Sequence, residues 1–362
     1  MSKDRILVVA ANGQDGFLTT VLALEQKSIV LALTRNLDHR LSRFASQDAN
    51  LEYQFSQDYL SNLPRLVAEF SPTHVFYFAS EHGPSGTMSP TKQSLDCTEF
   101  LTRKIPEVLI NLAKRNNFKI TFPLSSRMYS GYLEDAKGII EIDLDTPPKP
   151  NDYYGEGKAS LLRICEIARD EGVHINSPIL FNHGSIFSRP GYVSHAISNA
   201  IASWLMSDSR TYEISNPSAQ VDLSDAMRVV NLLLNMTTEA YNGPVLVSSG
   251  TTSTIADLIF EQSRQVAEWI ERPFDKQRPD VAQSGACLTA PTSPFALPQG
   301  GKEADYSWLG SMALLGLQFG TNNGDKLLPN PVAQSLPFTF RNLTANQIEY
   351  FIPTGFDDSS RD

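Results

Sequence analysis

The stretch Arg5-Ile-Leu-Val-Val-Ala-Ala-Asn-Gly-Gln-Asp-Gly16 decides the fold of this chain. After Arg5 it runs through six apolar residues, a pattern typical of a strand that is buried on both faces of a parallel sheet. Gly13 and Gly16 follow, and the apolar residues over 17–26 then predict a helix. A strand, a glycine loop and a helix in this order predict that the N-terminus of the helix holds a phosphate group.

Apolar patterns of the same two kinds alternate along the rest of the chain. Strands are predicted over 28–34, 74–80, 118–124, 173–181 and 243–250, and helices over 63–70, 105–115, 154–171, 193–206 and 225–235. This alternation predicts an α/β fold with a Rossmann-type doubly wound parallel sheet. Towards the C-terminus we expect a helix that begins at Ile255, a long surface loop over 279–301 and a short helix over 304–315.

The composition argues against several functional classes. The 362 residues are 41% hydrophobic, which is ample for a buried core, and the net charge of −10 argues against nucleic acid or an anionic membrane as the main partner. No apolar run approaches the ~20 residues of a membrane span, and the N-terminus leads into a strand without a signal peptide, so we expect a cytoplasmic protein. Cys97, Cys165 and Cys287 are far apart and predict neither a disulfide framework nor a metal site.

The loop after the first strand carries residues expected to hold a dinucleotide cofactor. The first glycine that is usual in such loops falls at Ala10, so the glycine fingerprint is incomplete. Arg35 ends the second strand, where an acid would bind the ribose of NAD and an arginine suits the 2′-phosphate of NADP. We therefore predict NADP, with NAD as the alternative cofactor and a solvated basic loop as the other explanation of Arg35. The loop residues expected to contact the cofactor are Gly13, Gln14, Asp15 and Gly16.

A second pattern is Tyr154-Gly-Glu-Gly-Lys158, which follows Ser125 by about thirty residues. Side chains four residues apart lie on one helix face, so we expect the ammonium of Lys158 to favour ionisation of the Tyr154 phenol. Such a phenol can exchange a proton with a sugar hydroxyl while a nicotinamide carries the hydride. Ser125, at the end of a neighbouring strand, would hold the reacting oxygen.

Five segments carry a family resemblance: Gly13-Gln-Asp-Gly16, Tyr77-Phe-Ala-Ser80, Ser125-Ser-Arg-Met-Tyr129, Tyr154-Gly-Glu-Gly-Lys158 and Ile179-Leu-Phe-Asn-His-Gly-Ser185. In this order they resemble the extended short-chain dehydrogenases/reductases of the epimerase/dehydratase type. Within that group they are most similar to the GDP-mannose 4,6-dehydratase family. The resemblance covers about residues 4–272, and more weakly 305–317.

The resemblance implies how the chain is divided. It implies an NADP-binding Rossmann domain over 1–181, to which 221–250 return, and a smaller discontinuous α/β lobe over 182–345 that clasps a nucleotide-diphosphate sugar. We expect the tail, 346–362, to be disordered. The resemblance also implies a homodimer or homotetramer.

Roles for individual residues follow from the same resemblance. Ser125 would orient the sugar oxygen, Tyr154 would be the acid/base, and Lys158 would hold the nicotinamide ribose. Further cofactor contacts are expected from Ala79, Ser80 and His183, and substrate contacts from Ser126 and Asn182. Arg127 and Arg189 do not match the family's pattern, but we expect them to contact the substrate in place of arginines that the family carries elsewhere. Asn182 and His183 would line the junction between cofactor and sugar.

Arg127 departs from the pattern of the family. A 4,6-dehydratase carries a glutamate at this position, two residues after the catalytic serine or threonine, and uses it to remove the sugar C5 proton. A guanidinium with a pKa above ~12 cannot act as that base. Arg127 is expected either to bind an anionic group of the substrate or to pair with a local carboxylate such as Glu134 or Asp135.

These observations favour an NADP-dependent enzyme that acts at C4 of a nucleotide sugar, by reduction of a 4-keto sugar or by epimerisation. Two alternatives stay open: a 4,6-dehydratase that uses another base, and a non-catalytic cofactor-binding subunit. The incomplete glycine fingerprint and the missing Arg-Arg-Gly stretch after Ser185 motivate the second alternative. The retention of Ser125, Tyr154 and Lys158 argues against it.

Overall fold

A parallel sheet forms the centre of the computed structural model, which describes residues 4–81, 91–134, 136–206, 214–238, 241–278, 286–290, 306, 308–313 and 336–340. The strands are β1 (Arg5–Val9), β2 (Ile29–Thr34), β3 (Leu51–Phe55), β4 (His74–Tyr77), β5 (Lys119–Thr121), β6 (Leu124–Ser125), β7 (Gly138–Glu141), β8 (Ile175–Leu180), β9 (Asn182–Gly184), β10 (Gln220–Val221), β11 (Leu223–Asp225), β12 (Gly243–Val247), β13 (Ser253–Thr254) and β14 (Ala286–Thr289). Eight of them form one sheet in the order β3-β2-β1-β4-β5-β8-β12, with β6 beside β8, and all its pairs are parallel. This order confirms the predicted α/β fold with a Rossmann-type sheet.

Helices cover both faces of this sheet. They are α1 (Gln14–Glu25), α2 (His39–Ala45), α3 (Tyr59–Phe70), α4 (Lys92–Glu99), α5 (Ile105–Asn116), α6 (Tyr153–Asp170), α7 (Val193–Met206), α8 (Ala226–Thr238) and α9 (Ile255–Trp269). A π-helical turn, Phe100–Lys104, joins α4 to α5. The core on one face contains α1 and α8, and the core on the other contains α3, α5 and α6. Within the described ranges, none of the helices has the length and apolarity needed to cross a bilayer.

Strand β1 explains why the opening stretch of sequence is apolar throughout. Ile6 and Val8 belong to the core with α1 and α8, whereas Leu7 and Val9 belong to the core with α3, α5 and α6. All four side chains are at most 2% exposed. A central parallel strand with helices on both sides has no solvent face, so its residues do not alternate between apolar and polar.

Among the described residues, three small sheets lie outside the main one: β9 with β11, β10 with β13, and β7 with β14. Strand β14 falls inside 279–301, so the prediction of a surface loop is wrong for 286–290. Cys287 and Thr289 are buried there because β14 pairs with β7 and the Thr289 hydroxyl donates to Asp222 at 2.7 Å. Residues 279–285 and 291–301 lie outside the described residues.

The described part of the C-terminal region packs onto the first helix. The Phe340 ring lies 6.2 Å from that of Phe17 and 5.5 Å from that of Phe44, and the Thr339 amide donates to Glu25 at 2.7 Å. Of the helix predicted over 304–315, residues 308–313 are helical. The tail over 346–362 lies outside the described residues. The division of the chain into two lobes stays a prediction, although β12 joins the main sheet beside β8.

Candidate functional site

The predicted site residues meet at the carboxyl edge of the parallel sheet. Gly13 follows β1, Arg35 follows β2, Ser80 follows β4, Ser125 ends β6 and Asn182 follows β8. Open α/β sheets bind ligands at this edge, beyond the carboxyl ends of their strands. The fold therefore brings together residues that are far apart in the sequence.

The phenol of Tyr154 lies between two serines. Its hydroxyl hydrogen-bonds to the side chains of Ser125 and Ser80, which come from neighbouring parts of the strand edge. Ser125 Oγ also accepts the Arg127 amide at 3.2 Å, which fixes the turn after β6. Ser125 was expected to hold the reacting oxygen, and the structure adds Ser80 as a second hydroxyl on the same phenol.

Lys158 lies one helical turn from Tyr154, as its spacing predicted. It is 6% exposed, its Nζ donates to the Pro123 carbonyl at 2.7 Å, and the same atom lies 5.6 Å from the centroid of the Tyr154 ring. Burial lowers the pKa of Lys158 to about 8, although Cys165 and Asp15 act in the opposite direction.

The expectation that Lys158 lowers the pKa of Tyr154 is wrong. Burial raises the pKa of Tyr154, and the hydrogen bonds from Ser125 and Ser80 offset only part of that rise. The Lys158 ammonium is directed at the Pro123 carbonyl. Tyr154 is therefore a protonated phenol near neutral pH, which suits a group that donates a proton.

Asp152 links the turn after β6 to the start of α6. Asp152 is the N-cap residue of α6, and its Oδ1 accepts the Gly155 amide at 2.7 Å. Its Oδ2 pairs with the Arg127 guanidinium. Arg127 was expected either to bind an anionic group of the substrate or to pair with a local carboxylate such as Glu134 or Asp135. The carboxylate that it pairs with is that of Asp152, and Asp135 lies outside the described residues. The N-terminus of a helix favours an acid at the N-cap, which explains why a carboxylate stands at position 152, within reach of Arg127.

Two glycines allow α6 to approach its neighbours closely. A Cβ on Gly155 would lie 2.5 Å from the Arg127 carbonyl oxygen, and a Cβ on Gly157 would lie 2.7 Å from a methyl of Thr98 in α4. Neither position has room for a side chain. The glycines around Glu156 thus hold Tyr154 against the turn that carries Ser125, while Glu156 itself is exposed, as predicted.

The loop between β1 and α1 fits a dinucleotide pyrophosphate. Ala10 has φ of 62°, the left-handed conformation that favours glycine, so it occupies the backbone geometry of the missing first glycine. A Cβ on Gly16 would lie 2.5 Å from the Ala10 carbonyl oxygen, which explains the glycine there. Gly13 is the N-cap of α1 and has no side chain to occupy the first N–H groups of the helix.

The side chains of Gln14 and Asp15 turn towards the segment around β9. Gln14 Oε1 accepts the Ser185 hydroxyl at 3.0 Å and also the Ser188 hydroxyl. Asp15 lies 3.0 Å from Nε2 of His183. Two motifs that the sequence showed separately, Gly13-Gln-Asp-Gly16 and the segment through Ser185, therefore contact each other.

The basic residues after β2 differ in their surroundings. Arg35 is exposed, whereas Arg40 is 9% exposed, pairs with Asp38 at 2.6 Å and donates to the Asn12 carbonyl at 2.6 Å. Its guanidinium also lies 4.7 Å from the centroid of the Phe17 ring. Arg40 thus joins the loops after β1 and β2, and Arg35 is the exposed cation at the end of β2.

The remaining predicted residues line the same edge to different degrees. Asn182 and Arg189 are exposed, but Ser126 and Ala79 are 9% and 7% exposed. Ser126 is buried because it opens the 3-10 turn that packs against α6, so its substrate contact stays a prediction with little exposed surface to support it.

Sequence reasoning missed Tyr192, which lies near Tyr154, and Glu81, which lies near Tyr153. Tyr192, just before α7, lies close enough for charge interactions with Tyr154, Asp15 and Arg189. Glu81 follows Ser80, is partly exposed and accepts the Cys97 thiol at 3.6 Å. Glu81 comes directly after the strand predicted over 74–80, and an acid at that position was a signal that the sequence offered. Among the described residues, His, Cys, Asp and Glu form no group of three that could hold a metal ion.

Comparison with known proteins identifies a matching family and several similar proteins. The sequence model of the family described as GDP-mannose 4,6 dehydratase matches residues 7–290. The chain is 23% identical over 301 residues to a GDP-mannose 4,6-dehydratase of Sinorhizobium fredii (strain HH103). The aligned part covers 78% of this chain and 83% of that relative.

Solved structures share the fold. The Bordetella bronchiseptica enzyme WbmG in complex with NAD and UDP aligns with a TM-score of 0.64 and 16% identity, over 88% of this chain and 96% of that one. A UDP-N-acetylglucosamine 4-epimerase from Methanobrevibacter ruminantium M1, in complex with UDP-N-acetylmuramic acid, aligns with a TM-score of 0.63 and 16% identity, over 88% and 99%. The family match spans most of the chain and confirms the resemblance seen in the sequence. The chain belongs to the GDP-mannose 4,6-dehydratase family.

Proposed function

We propose that this chain is an NADP-dependent enzyme that exchanges a hydride with C4 of a nucleotide sugar, either in reduction of a 4-keto sugar or in epimerisation. Family membership supports a nucleotide sugar as the substrate class, and the names of the relatives include both GDP- and UDP-linked sugars. The exposed Arg35 after β2 supports NADP, because its guanidinium suits a 2′-phosphate. NAD, which is bound in the WbmG structure, is the alternative cofactor.

One observation carries the proposal: the Tyr154 hydroxyl meets Ser125 and Ser80 beside the glycine loop. Because its pKa is raised, Tyr154 is protonated and can donate to the oxygen at C4 as negative charge develops there. Ser125 Oγ, held by the Arg127 amide, can orient the same oxygen. When bound, the nicotinamide cofactor supplies or accepts the hydride.

Lys158 and the loop between β1 and α1 would position the cofactor next to the hydroxyls of Tyr154 and Ser125. The Lys158 ammonium is fixed by the Pro123 carbonyl beside the Tyr154 ring, so it can hold a ribose hydroxyl while its charge stays near the phenol. The N–H groups of the first turn of α1 can bind the pyrophosphate. These roles for Lys158 and for Gly13 are part of the proposal.

Dehydration by a different base is the second candidate function. Arg127 is paired with Asp152 and cannot abstract a proton, so the usual position offers no base. Glu81 is the carboxylate that this alternative would use, because it is partly exposed and follows Ser80, whose hydroxyl contacts Tyr154; its Oε2 accepts the Cys97 thiol at 3.6 Å. A 4,6-dehydratase built on this chain would use Glu81 to remove the C5 proton.

A cofactor assay separates these reactions. Purified protein is mixed with NADPH and nucleotide-linked 4-keto sugars, and separately with NADP+ and nucleotide sugars that carry a C4 hydroxyl, all of the GDP and UDP series. Nicotinamide absorbance is followed and the sugars are analysed by mass spectrometry. Reduction consumes one NADPH per product, epimerisation interconverts sugars without a net change in absorbance, and dehydration removes one water. Binding of NADPH without conversion of any nucleotide sugar would contradict the proposal and favour the non-catalytic subunit.

A further inference from the structure

Both ring nitrogens of His183 face groups that only accept hydrogen bonds. Nδ1 lies 2.8 Å from the Phe181 carbonyl oxygen, and Nε2 lies 3.0 and 3.1 Å from the two carboxylate oxygens of Asp15. A neutral imidazole carries one N–H and one lone pair, so it would satisfy only one of these contacts. The doubly protonated ring satisfies both, and the geometry therefore indicates a cation.

Asp15 occupies a position where a negative charge is costly for cofactor binding. It is the second residue of α1, directly beyond the N-cap Gly13 and Gln14. The N–H groups of this turn are the ones expected to hold the pyrophosphate. An uncompensated carboxylate in the same turn would repel that anion, since like charges a few ångströms apart repel each other.

We infer that His183 is an imidazolium at neutral pH whose charge neutralises Asp15, so that the first turn of α1 accepts the pyrophosphate of a dinucleotide. This inference rests on the nicotinamide cofactor of the proposed function and assigns a specific charge to one of its residues. His183 is a positioning residue: it acts on the cofactor through Asp15 and does not contact the reacting atoms.

The charged groups around the pair support this assignment. Burial alone would lower the pKa of His183, but Asp15, together with the Phe181 carbonyl and Asp225 at the end of β11, raises it to about 9. Burial alone would raise the pKa of Asp15, but His183, with weaker contributions from Gln14 and from Lys158 in α6, lowers it. Cations and donors from three elements thus face Asp15.

The pair therefore gives a defined pH dependence. Because the pKa of His183 in the folded protein is about 9, above its ordinary value of 6.5, its charge is present near neutrality and is lost as pH rises through about 9. Above that pH, Asp15 would face the cofactor without compensation, and affinity for NADPH would fall. Lys158, with a pKa of about 8, loses its charge over a neighbouring range, so variants of Asp15 are needed to separate the two effects.

Direct titration of the ring is the first test. In protein with isotope-labelled histidine, NMR follows the six histidines from about pH 6 to about pH 10, and H183Q identifies the signal of interest. We expect His183 to titrate near pH 9 and to shift by at least one unit towards lower pH in D15N. H174Q, which removes a histidine at the opposite edge of the sheet, should leave this titration unchanged. A His183 that is neutral at pH 7 would overturn the inference.

Rescue of NADPH binding is the second test. We expect H183Q to raise the Kd of NADPH about ten-fold or more near pH 7, because it leaves Asp15 uncompensated. D15N removes the charge that His183 compensates, so the D15N/H183Q double variant should bind NADPH more tightly than H183Q and recover most of the affinity lost in that variant. The loss of affinity above pH 9 should be smaller in D15N than in wild type.

The outcomes of the binding test distinguish failure of this inference from failure of the proposed function. A double variant that binds NADPH as weakly as H183Q, or more weakly, would mean that the contact is merely structural and would refute the inference alone. Wild-type protein that binds neither NADPH nor NADH would refute the proposed cofactor and this inference together. H174Q serves as the matched control for loss of a histidine.

Discussion

At the scale of single residues, the Tyr154 hydroxyl is the group on which the proposed chemistry depends. Replacing Tyr154 with phenylalanine removes the proton donor and leaves the ring beside Lys158. We expect kcat to fall by about 10²–10⁴-fold, the usual contribution of a positioned acid/base, and the Kd of NADPH to change little. Steady-state kinetics and fluorescence titration measure both quantities, and a Y154F variant with near wild-type kcat would contradict the assigned role.

Ala10 allows a test of backbone strain in the glycine loop. Its φ of 62° costs an L-residue roughly 1–2 kcal/mol, part of which glycine would recover at an entropic cost of about 0.5–1 kcal/mol. We expect A10G to be neutral or to stabilise the protein by up to about 1 kcal/mol, measured by chemical denaturation. An Ala10→Val substitution, which the left-handed region disfavours more strongly, should destabilise it. A10G that destabilises by more than 1 kcal/mol would show that Ala10 is not strained.

Sequence reasoning located most of these residues but not their interactions. The spacing of Tyr154 and Lys158 correctly placed both on one face of α6. It could not show that Lys158 donates to the Pro123 carbonyl, because that contact depends on how β6 and α6 pack. Desolvation, which sets the pKa of Tyr154, likewise depends on tertiary burial and leaves no mark in a local pattern.

At the scale of elements, the close approach of α6 to the turn after β6 sets the geometry of the site. A methyl group on Gly155 would meet the Arg127 carbonyl oxygen at 2.5 Å, so either α6 or the turn must move. We expect G155A to destabilise the protein by about 1–3 kcal/mol and to lower kcat more than it raises the Kd of NADPH.

The matched control for Gly155 is the next residue. Glu156 is exposed on the same helical turn, so E156A should change the free energy of unfolding by no more than about 0.5 kcal/mol. A G155A variant that is as stable and as active as E156A would contradict the packing argument.

Element prediction succeeded where apolar patterns were long and failed where they were short or exposed. The buried runs of β1, β2 and β8 were predicted to within a few residues. Strand β3 was not predicted, because it is the edge strand of the sheet and its middle residues are only partly buried. Strand β14 lies in a segment rich in proline, glycine and serine, and only its pairing with β7 makes it a strand.

At the scale of the whole molecule, Asp222 joins parts of the chain that are distant in sequence. It is 0% exposed and accepts hydrogen bonds from Ser248 at 2.7 Å, from the amide and hydroxyl of Ser249 at 2.9 and 2.8 Å, and from Thr289 at 2.7 Å. These bonds hold the end of β12 and strand β14 around one carboxylate. Removal of the carboxylate would leave several buried donors without an acceptor.

We therefore expect D222A to destabilise the protein by about 2–4 kcal/mol. D222N should cost less, because the amide oxygen can still accept from Ser249 and the hydroxyls can reverse their roles. Chemical denaturation of both variants and the wild type measures the difference. A D222A variant within 0.5 kcal/mol of wild type, a margin typical of surface substitutions, would contradict this role.

The α/β architecture could be predicted from the sequence, because the alternation of strands and helices leaves few possible topologies. The carboxyl edge of the sheet could therefore be predicted as the site. The contact between the Gln14–Asp15 loop and the segment through Ser185 could not, since it joins residues about 170 positions apart. Such contacts depend on the packed molecule as a whole.

The most direct test of the central claim, hydride exchange at sugar C4 beside Tyr154, is isotope transfer. Wild-type protein and Y154F are incubated with NADPH carrying deuterium at the transferred position of the nicotinamide and with nucleotide-linked 4-keto sugars, and the products are analysed by mass spectrometry and NMR. We predict one deuterium at C4 of the sugar with the wild type and none above background with Y154F. Conversion of the sugar without any deuterium at C4, or equal transfer by Y154F, would contradict the account.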